Sequence, residues 1–355
     1  MTNTRRPPNR STSTGAAIAD AATEHASPGA RTTPSGSRIT IRDVARSAHV
    51  SIGTVSRALN ARPGVHPDTP RRVMAAVAEL GFDPDQAARE LSNRRPVRVG
   101  LSVARGFRRL IPFFVLFKEH LLDGLASGGF RVHDVPTGAD GLPTAEADLY
   151  LLFGAHADDP RIAHLEAQER PFILVGHRKG VRSVAADDVQ GGRLAAEHLL
   201  RLGHRDILHL TGALSSQAFF DRARGFGAAL ADADVNVGKP SICEDPSALA
   251  AYRAFRTLLE SGARPTAVFA ATDEMAVGCQ AAAVDAGLAV PGDLSVVGFD
   301  DMPEVGFDLT TVRQDIGELA RITIDLLHEA LADAPVRSAF LPVHLVTRGS
   351  TAERR

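Results

Sequence analysis

Apolar residues recur at helical spacing from Ile39 to Leu80 and at strand spacing from Val97 onward, so two architectures share one chain. In the first stretch Val44, Ala45, Ala48, Val55, Leu59, Val73, Val77 and Leu80 supply the inward faces of three short helices, predicted at 41 to 48, 52 to 59 and about 67 to 80. Gly81 closes the third. That core is small, and such a module is marginal by itself. Beyond residue 97 the runs VRVGLSV, FRVHDV, DLYLLF, PFILVG, DILHLT, TAVFAA, LSVVGF and VHLVTR read as short strands. Helices are predicted between them, near 113–127, 159–169, 189–202, 217–232, 247–261, 274–287 and 314–332. Alternating strand and helix over so long a stretch predicts parallel sheets covered by helices and divided into two lobes, with any ligand at the carboxyl ends of the strands. The expected fold is thus an all-α head followed by an α/β two-lobed body.

Composition refines this division. Residues 1–37 are rich in Ser, Thr, Pro, Gly and Arg and poor in large apolar residues, which predicts a disordered tail. The whole chain carries a net charge of −2, yet between Arg38 and Arg95 ten arginines face six acids, a local +4. A basic head on an acidic body suits a polyanion-binding module joined to one with another task. The two cysteines, Cys243 and Cys279, form no CxxC or Cys/His pattern, so no disulfide framework, metal site or cofactor is expected. No apolar run reaches the length of a membrane span or a signal-peptide block, and the cytoplasm is the expected compartment.

The segment SIGTVSRALN, residues 51–60, follows a tight link between the first two helices. Ser51 is placed to cap the second helix, turning its free N–H groups outward toward a phosphate. Small residues at its start let the helix sink into a major groove, Ile52 and Gly53 offer apolar contact and close approach, and Arg57 one turn later has the fork that donates twice to a guanine edge. With its neighbours IRDVARSAHVSIGTVSRALN and VHPDTPRRVMAAVAELGFDPDQAARELSNRR, this segment resembles the head of the lac-repressor family of bacterial transcription regulators. The resemblance implies that Ile52, Gly53 and Arg57 meet bases, while Ser51, Thr54, Ser56 and Asn60 hold phosphates. It also implies a hinge helix over Asp85–Ser92 with Leu91 as a minor-groove wedge. Eight residues do not hold a helix alone, so folding of that hinge is expected to need DNA and a partner chain. His66 and Pro70 stand where the family usually opens its third helix with serine and arginine, which predicts a weaker cap.

The remainder, Val97 to Thr351, resembles the family's two-lobed, periplasmic-binding-protein-like effector domain through AAEHLLRLGHRDILHLTG, DRARGFGAAL, PTAVFAATDEMAVG, LSVVGFDD, LTTVRQD and LVTRGST. Carried onto matching positions, it implies effector contacts from Arg222, Thr272 and Asp300. An arginine and an aspartate together bracket vicinal hydroxyls, which points to a sugar or polyol. Thr272 replaces a common asparagine. His177 stands where an aspartate is frequent, and Phe113 or Phe114 is expected either to stack on an apolar sugar face or to enter the core. Arg178 and Asp187 are alternatively a simple pair. The dozen residues between FRVHDV and DLYLLF are too few for the family's usual helix, so one lobe is expected to lack a covering helix.

These readings set the domain limits at 1–37 (tail), 38–84 (helix-turn-helix head), 85–96 (hinge and linker) and 97–355 (effector-binding and dimerisation domain). The expected partners are double-stranded DNA bearing a near-palindromic operator, a sugar-like small molecule and a second copy of the chain. A transport-linked binding protein fits poorly with the basic helical head. A nucleotide-dependent enzyme lacks its GxGxxG, GxxxxGK or GxSxG signature, so no catalytic residue and no metal ligand is assigned. The strand-end acids Asp187, Asp188, Asp300 and Asp301 read as caps or ligand acceptors. No leucine heptads close the sequence, which predicts a dimer.

Overall fold

The computed structural model describes residues 40–59, 66, 68–82, 96–105, 111–126, 128–156, 158–236, 238–243, 245–303, 305 and 308–354. The predicted tail, Asn60 and the hinge with Leu91 lie outside them. The chain divides into two compact units, Met1–Leu91 and Ser92–Arg355.

In the first unit α1 (Ile41–Ser47), α2 (Ile52–Leu59) and α3 (Thr69–Leu80) close around Val44, Ala45, Ala48, Val55, Val73 and Ala76. Phe82, just past α3, completes this core; the helical pattern alone did not point to it. The start of α1 is fixed by Asp43, whose carboxylate accepts from the Thr40 N–H at 2.9 Å and its hydroxyl at 2.7 Å. These bonds hold the Asp43 pKa below the usual carboxylate value. At α3 the N-cap is Asp68, whose side chain makes no capping bond, and Pro70 sits in the first turn. Gly81 ends α3 in the left-handed region, φ 65°.

The second unit contains two six-stranded sheets. Lobe 1 is ordered β2–β1–β3–β4–β5–β11, every pairing parallel: β1 (Val97–Val103), β2 (Phe130–Asp134), β3 (Leu149–Phe153), β4 (Phe172–Val175), β5 (Ser183–Ala186) and β11 (Ser338–Leu341). Lobe 2 is ordered β7–β6–β8–β9–β10–β12: β6 (Ile207–Thr211), β7 (Ser241–Ile242), β8 (Ala267–Ala270), β9 (Ser295–Asp300), β10 (Thr310–Arg313) and β12 (His344–Val346), with only the β10–β12 pairing antiparallel. Strands β5, β7, β10 and β11 add to the eight predicted. They are two to four residues long, too short to carry a period of their own.

One face of lobe 1 is covered by α4 (Pro112–Leu125) and α10 (Ile316–Leu331), which pack on each other over Val99, Leu101, Leu149 and Leu151. The other face carries α5 (Pro160–Ala167). As the short connection required, no helix lies between β2 and β3. Residues 135–148 turn back through the Thr137–Pro143 bridge and lie directly on the sheet. Gly100 permits this, because a Cβ there would stand 2.7 Å from both Ala147 Cβ and Val135 Cγ2. Tyr150 pins the loop, its hydroxyl accepting from the Ala147 N–H at 3.2 Å and donating to the Ala145 carbonyl at 3.1 Å.

Lobe 2 pairs α6 (Asp188–Arg201) with α7 (Gln217–Asp232), and α8 (Ala248–Glu260) with α9 (Asp273–Asp285). Chain crossings at 186–188, 313–316 and 341–344 join the lobes, and the Asp187 N–H donates to the Leu341 carbonyl at 2.9 Å. Among the described residues no helix is long and apolar enough to cross a membrane, and no cluster of three or more His, Cys, Asp or Glu is arranged to hold a metal.

Candidate nucleic-acid surface and effector cleft

In the head, Val55 points inward, Ala58 and Leu59 pack partly on the same core, and one face of α2 is displayed. Ile52, Gly53, Ser56 and Arg57 are exposed, and Ile52 keeps 44% of its surface open although it is a large aliphatic residue. Positions 52 and 56, and 53 and 57, are one helical turn apart, so they form a single outward stripe. Around Gly53 the nearest atoms to an added Cβ are Arg57 NH2 at 3.8 Å and Ser51 Oγ at 3.9 Å, leaving the first turn bare. Ser51 Oγ accepts from the Thr54 N–H at 3.1 Å and lies 2.8 Å from its hydroxyl. Both side chains thus shape the helix start, and the exposed apolar and cationic groups of the stripe fall to Ile52 and Arg57. Arg57 enters no ion pair with a described residue.

In the second unit a cleft of about 720 Å³, its open mouth included, lies between the carboxyl ends of the two sheets. Lobe 1 presents Phe153, Ala155 and Val175 from β3 and β4, with Ile111 and Phe113 from the start of α4 and Leu319 from α10. That wall is apolar. It is braced from behind by Arg161, which is fully buried, is paired with Asp159 at 2.6 Å, and donates to the Ser102 and Phe153 carbonyls at 2.6 and 3.1 Å.

The facing wall is polar. Arg222, on α7, lies flat over the Phe299 ring with its guanidinium carbon 3.6 Å from the centroid. It donates to Asp188 at 2.8 Å and to the Ala271 carbonyl at 2.6 Å, and stands 3.4 Å from Asp300 Oδ1. Gln314, in the second crossing, donates to the same Asp300 oxygen at 2.6 Å. Two carboxylates thus bracket one guanidinium in a water-poor site. Burial pushes the Asp300 carboxyl up to about 8, against the pull of Arg222 and with the repulsion of Asp273 added. Burial also raises Asp188, opposed by Arg222. Asp273 is itself raised to about 6 by burial, although it accepts from the Thr311 hydroxyl at 2.5 Å and the Met302 N–H at 2.8 Å. Asp300 and Asp301 both adopt positive φ, 119° and 56°, a costly conformation outside glycine that turns the chain sharply at the cleft.

Arg222, Thr272, Asp300 and Phe113 are therefore brought together on the cleft. Thr272 is also the N-cap of α9, its hydroxyl oxygen accepting from the Met275 N–H at 3.2 Å, which leaves the O–H as a donor. Phe114 is placed differently from Phe113: it is buried in the lobe 1 core, edge-on to Phe153 at 4.8 Å. His177 is not on the cleft lining, and its ring meets Asp221 at 2.6 Å. Asp187 caps α6 by accepting from the Gln190 N–H at 3.0 Å. Sequence reasoning had weighed Asp188 only as a generic strand-end acid and had missed Gln314, although both sit in runs, AADD and TTVRQD, that follow directly on short strands.

Residues 40–85 match the model of bacterial regulatory proteins of the lacI family, and residues 196–351 match a periplasmic-binding-protein-like domain. An HTH-type transcriptional regulator from Streptomyces limosus, named for its place in the aml 5' region, is 34% identical over 88% of this chain and 94% of its own. The structure of a CelR regulator–cellobiose complex superposes with a TM-score of 0.65 at 28% identity, covering 88% of this chain and all of that one. A lac repressor dimer bound to operator and the anti-inducer ONPF gives 0.63 at 27% identity, covering 88% and 99%. The likeness covers 88% of the chain, helical head and two-lobed body together: this protein belongs to the lacI family of bacterial regulatory proteins and is a transcriptional regulator.

Proposed function

We propose that the chain is a homodimeric repressor of carbohydrate-utilisation genes whose grip on a near-palindromic operator changes when a sugar or polyol enters the cleft. The carrying observation is the opposition of an apolar aromatic wall, Phe113 and Phe153, to the Asp188–Arg222–Asp300 bracket. A pyranose has both kinds of surface, a face of C–H groups and an edge of vicinal hydroxyls. The Asp188 and Asp300 oxygens accept hydrogen bonds from sugar hydroxyls, while Arg222 and the Thr272 O–H supply donors. The cellobiose bound by the CelR relative and the operator bound by the lac repressor relative support the same assignment.

On the DNA side, Ile52, Gly53 and Arg57 are assigned to bases and Ser51, Thr54, Ser56 and Asn60 to phosphates, with the hinge and Leu91 bending the duplex in the minor groove. Residues 38–84, 85–96 and 97–355 are the corresponding head, hinge and effector domain. Two-fold symmetry of the dimer pairs the half-sites. The protein works by binding, with no catalytic step.

A thermal-shift screen of neutral mono- and disaccharides and polyols tests the effector assignment. At a concentration 100 times Kd a true effector stabilises by about 2.7 kcal/mol, and its rank order must reappear in DNA-binding anisotropy. A compound that stabilises Arg222→Ala as well as it stabilises the natural protein would move the effector site elsewhere.

A further inference from the structure

The first turn of α7 is fastened to lobe 1 by direct hydrogen bonds on one edge of the cleft. The Gln217 N–H donates to the Ala155 carbonyl at 3.0 Å. Its side-chain oxygen accepts from the His177 N–H at 2.8 Å, and its side-chain amide donates to the His177 carbonyl at 2.7 Å. This two-bond ring imitates a strand pairing across the lobes. Beside it His156 Nδ1 meets the Ser215 carbonyl at 3.1 Å, and 156 and 216 form an antiparallel bridge. One turn along α7, the His177 ring holds Asp221 at 2.6 Å, and Arg224 holds the other oxygen of that carboxylate at 3.0 Å. Gly176, at φ 144°, makes the approach possible, since a Cβ there would stand 2.7 Å from Ala155 Cβ and 2.8 Å from the Gln217 side-chain oxygen.

Asp221 and Arg222 are consecutive. The first is held by lobe 1 through His177, while the second faces the cleft, so the helix that meets the effector is also the helix that grips the opposite lobe. We propose that Gln217 and His177 are positioning residues, a latch that holds the two lobes together at this edge independently of any ligand. The latch sets the resting closure of the body, and an effector supplies only the remaining bias. It also closes this rim, so that exchange of a small molecule proceeds by the opposite edge or by release of the latch. His177 then acts on the lobes. This inference uses the effector reading for its consequence, while its test needs no effector.

The test is a pair of spin labels on exposed helix positions, Ala163→Cys in lobe 1 and Ala231→Cys in lobe 2, read by electron–electron distance measurement on the full-length protein diluted with unlabelled chains and without added sugar. The natural protein should show one dominant short distance. Gln217→Ala removes two hydrogen bonds of the ring and should raise the ratio of long to short distances by roughly tenfold or more. His177→Ala keeps the ring of Gln217 bonds and loses the Asp221 contact together with the imidazole's packing on Phe340 within lobe 1, so its change should be smaller and in the same direction. A local structural role would leave the distances where they were. Identical distributions in the three proteins, or a natural protein already dominated by the long distance, overturn the latch. If Gln217→Ala does not fold, His177→Ala decides by the same criterion. A failed sugar screen bears on the effector reading alone and leaves these distances unaffected.

Discussion

Substituting Asp300→Asn keeps the size of the side chain and an oxygen for Gln314 to bond, but removes the titration. Burial lifts the Asp300 pKa from 3.8 to about 8. The folded protein therefore holds a proton that the unfolded chain has already lost. The stability this group contributes is present in full below the unfolded value and declines as pH rises through the folded one. Other buried groups complicate the acid side. His198 and His209, driven down to about 4 by burial, give a stability that rises with pH until about 6.5, and the contribution of Asp273 is spent near 6. Between pH 6.5 and 8 Asp273 is nearly flat, while the two histidines still add about 0.4 kcal/mol each as their unfolded forms finish losing protons. Over that interval loss of the Asp300 proton should lower stability by something on the order of 1 kcal/mol, and Tm by a few degrees. Asp188 shares the sign, so the informative quantity is the difference between the natural protein and Asp300→Asn. Urea denaturation at four pH values across the interval measures it. Parallel slopes for the two proteins would refute the picture of a buried, proton-holding carboxyl at the cleft.

Three further substitutions separate the parts of the molecule. Arg57→Ala should weaken operator binding by about 1–3 kcal/mol and relax one base position, which anisotropy with single-base operator variants would show. Arg222→Ala leaves the buried Asp188 side chain without its guanidinium partner, so it should destabilise the body by about 3–5 kcal/mol in urea denaturation. It should also abolish the effector response while DNA binding by the folded protein persists. Gly225→Ala drives a Cβ into the Val189 carbonyl, and a matching collision awaits Gly192 against Arg222. Because α6 and α7 must then part, the variant should lose about 1–3 kcal/mol together with part of its effector response, and an unchanged melting temperature would count against that tight packing.

The helical elements were legible because their periods were long. Helices 52–59 and 217–232 are found at their predicted limits, and the others differ by a residue or two at the ends. The short strands were not. Strand β5 reads SVAA, where small residues are buried by the lobe around them and carry no β-branched run to announce it. The missing helix of lobe 1 was visible as a count of residues, but the way the sheet is covered instead, by a loop resting on Gly100, depends on contacts across the fold. Within the cleft, Arg222, Thr272 and Asp300 stand where the resemblance of their motifs put them. Phe113 and Phe114 are neighbours of identical chemistry, and only the rotation of α4 assigns one to the cleft and the other to the core. Asp188 and Gln314 gain their meaning from Arg222 and Asp300, which reach them from distant strands and helices. His177 was recognised as unusual at its position, but its partner Asp221 lies 44 residues away and the pairing needs both lobes in place.

Selection of full-length protein against randomised double-stranded oligonucleotides tests the central claim most directly. The account predicts enrichment of a near-palindromic sequence with two half-sites, lost or relaxed in Arg57→Ala. No enrichment of any duplex sequence, with or without sugars present, would contradict it.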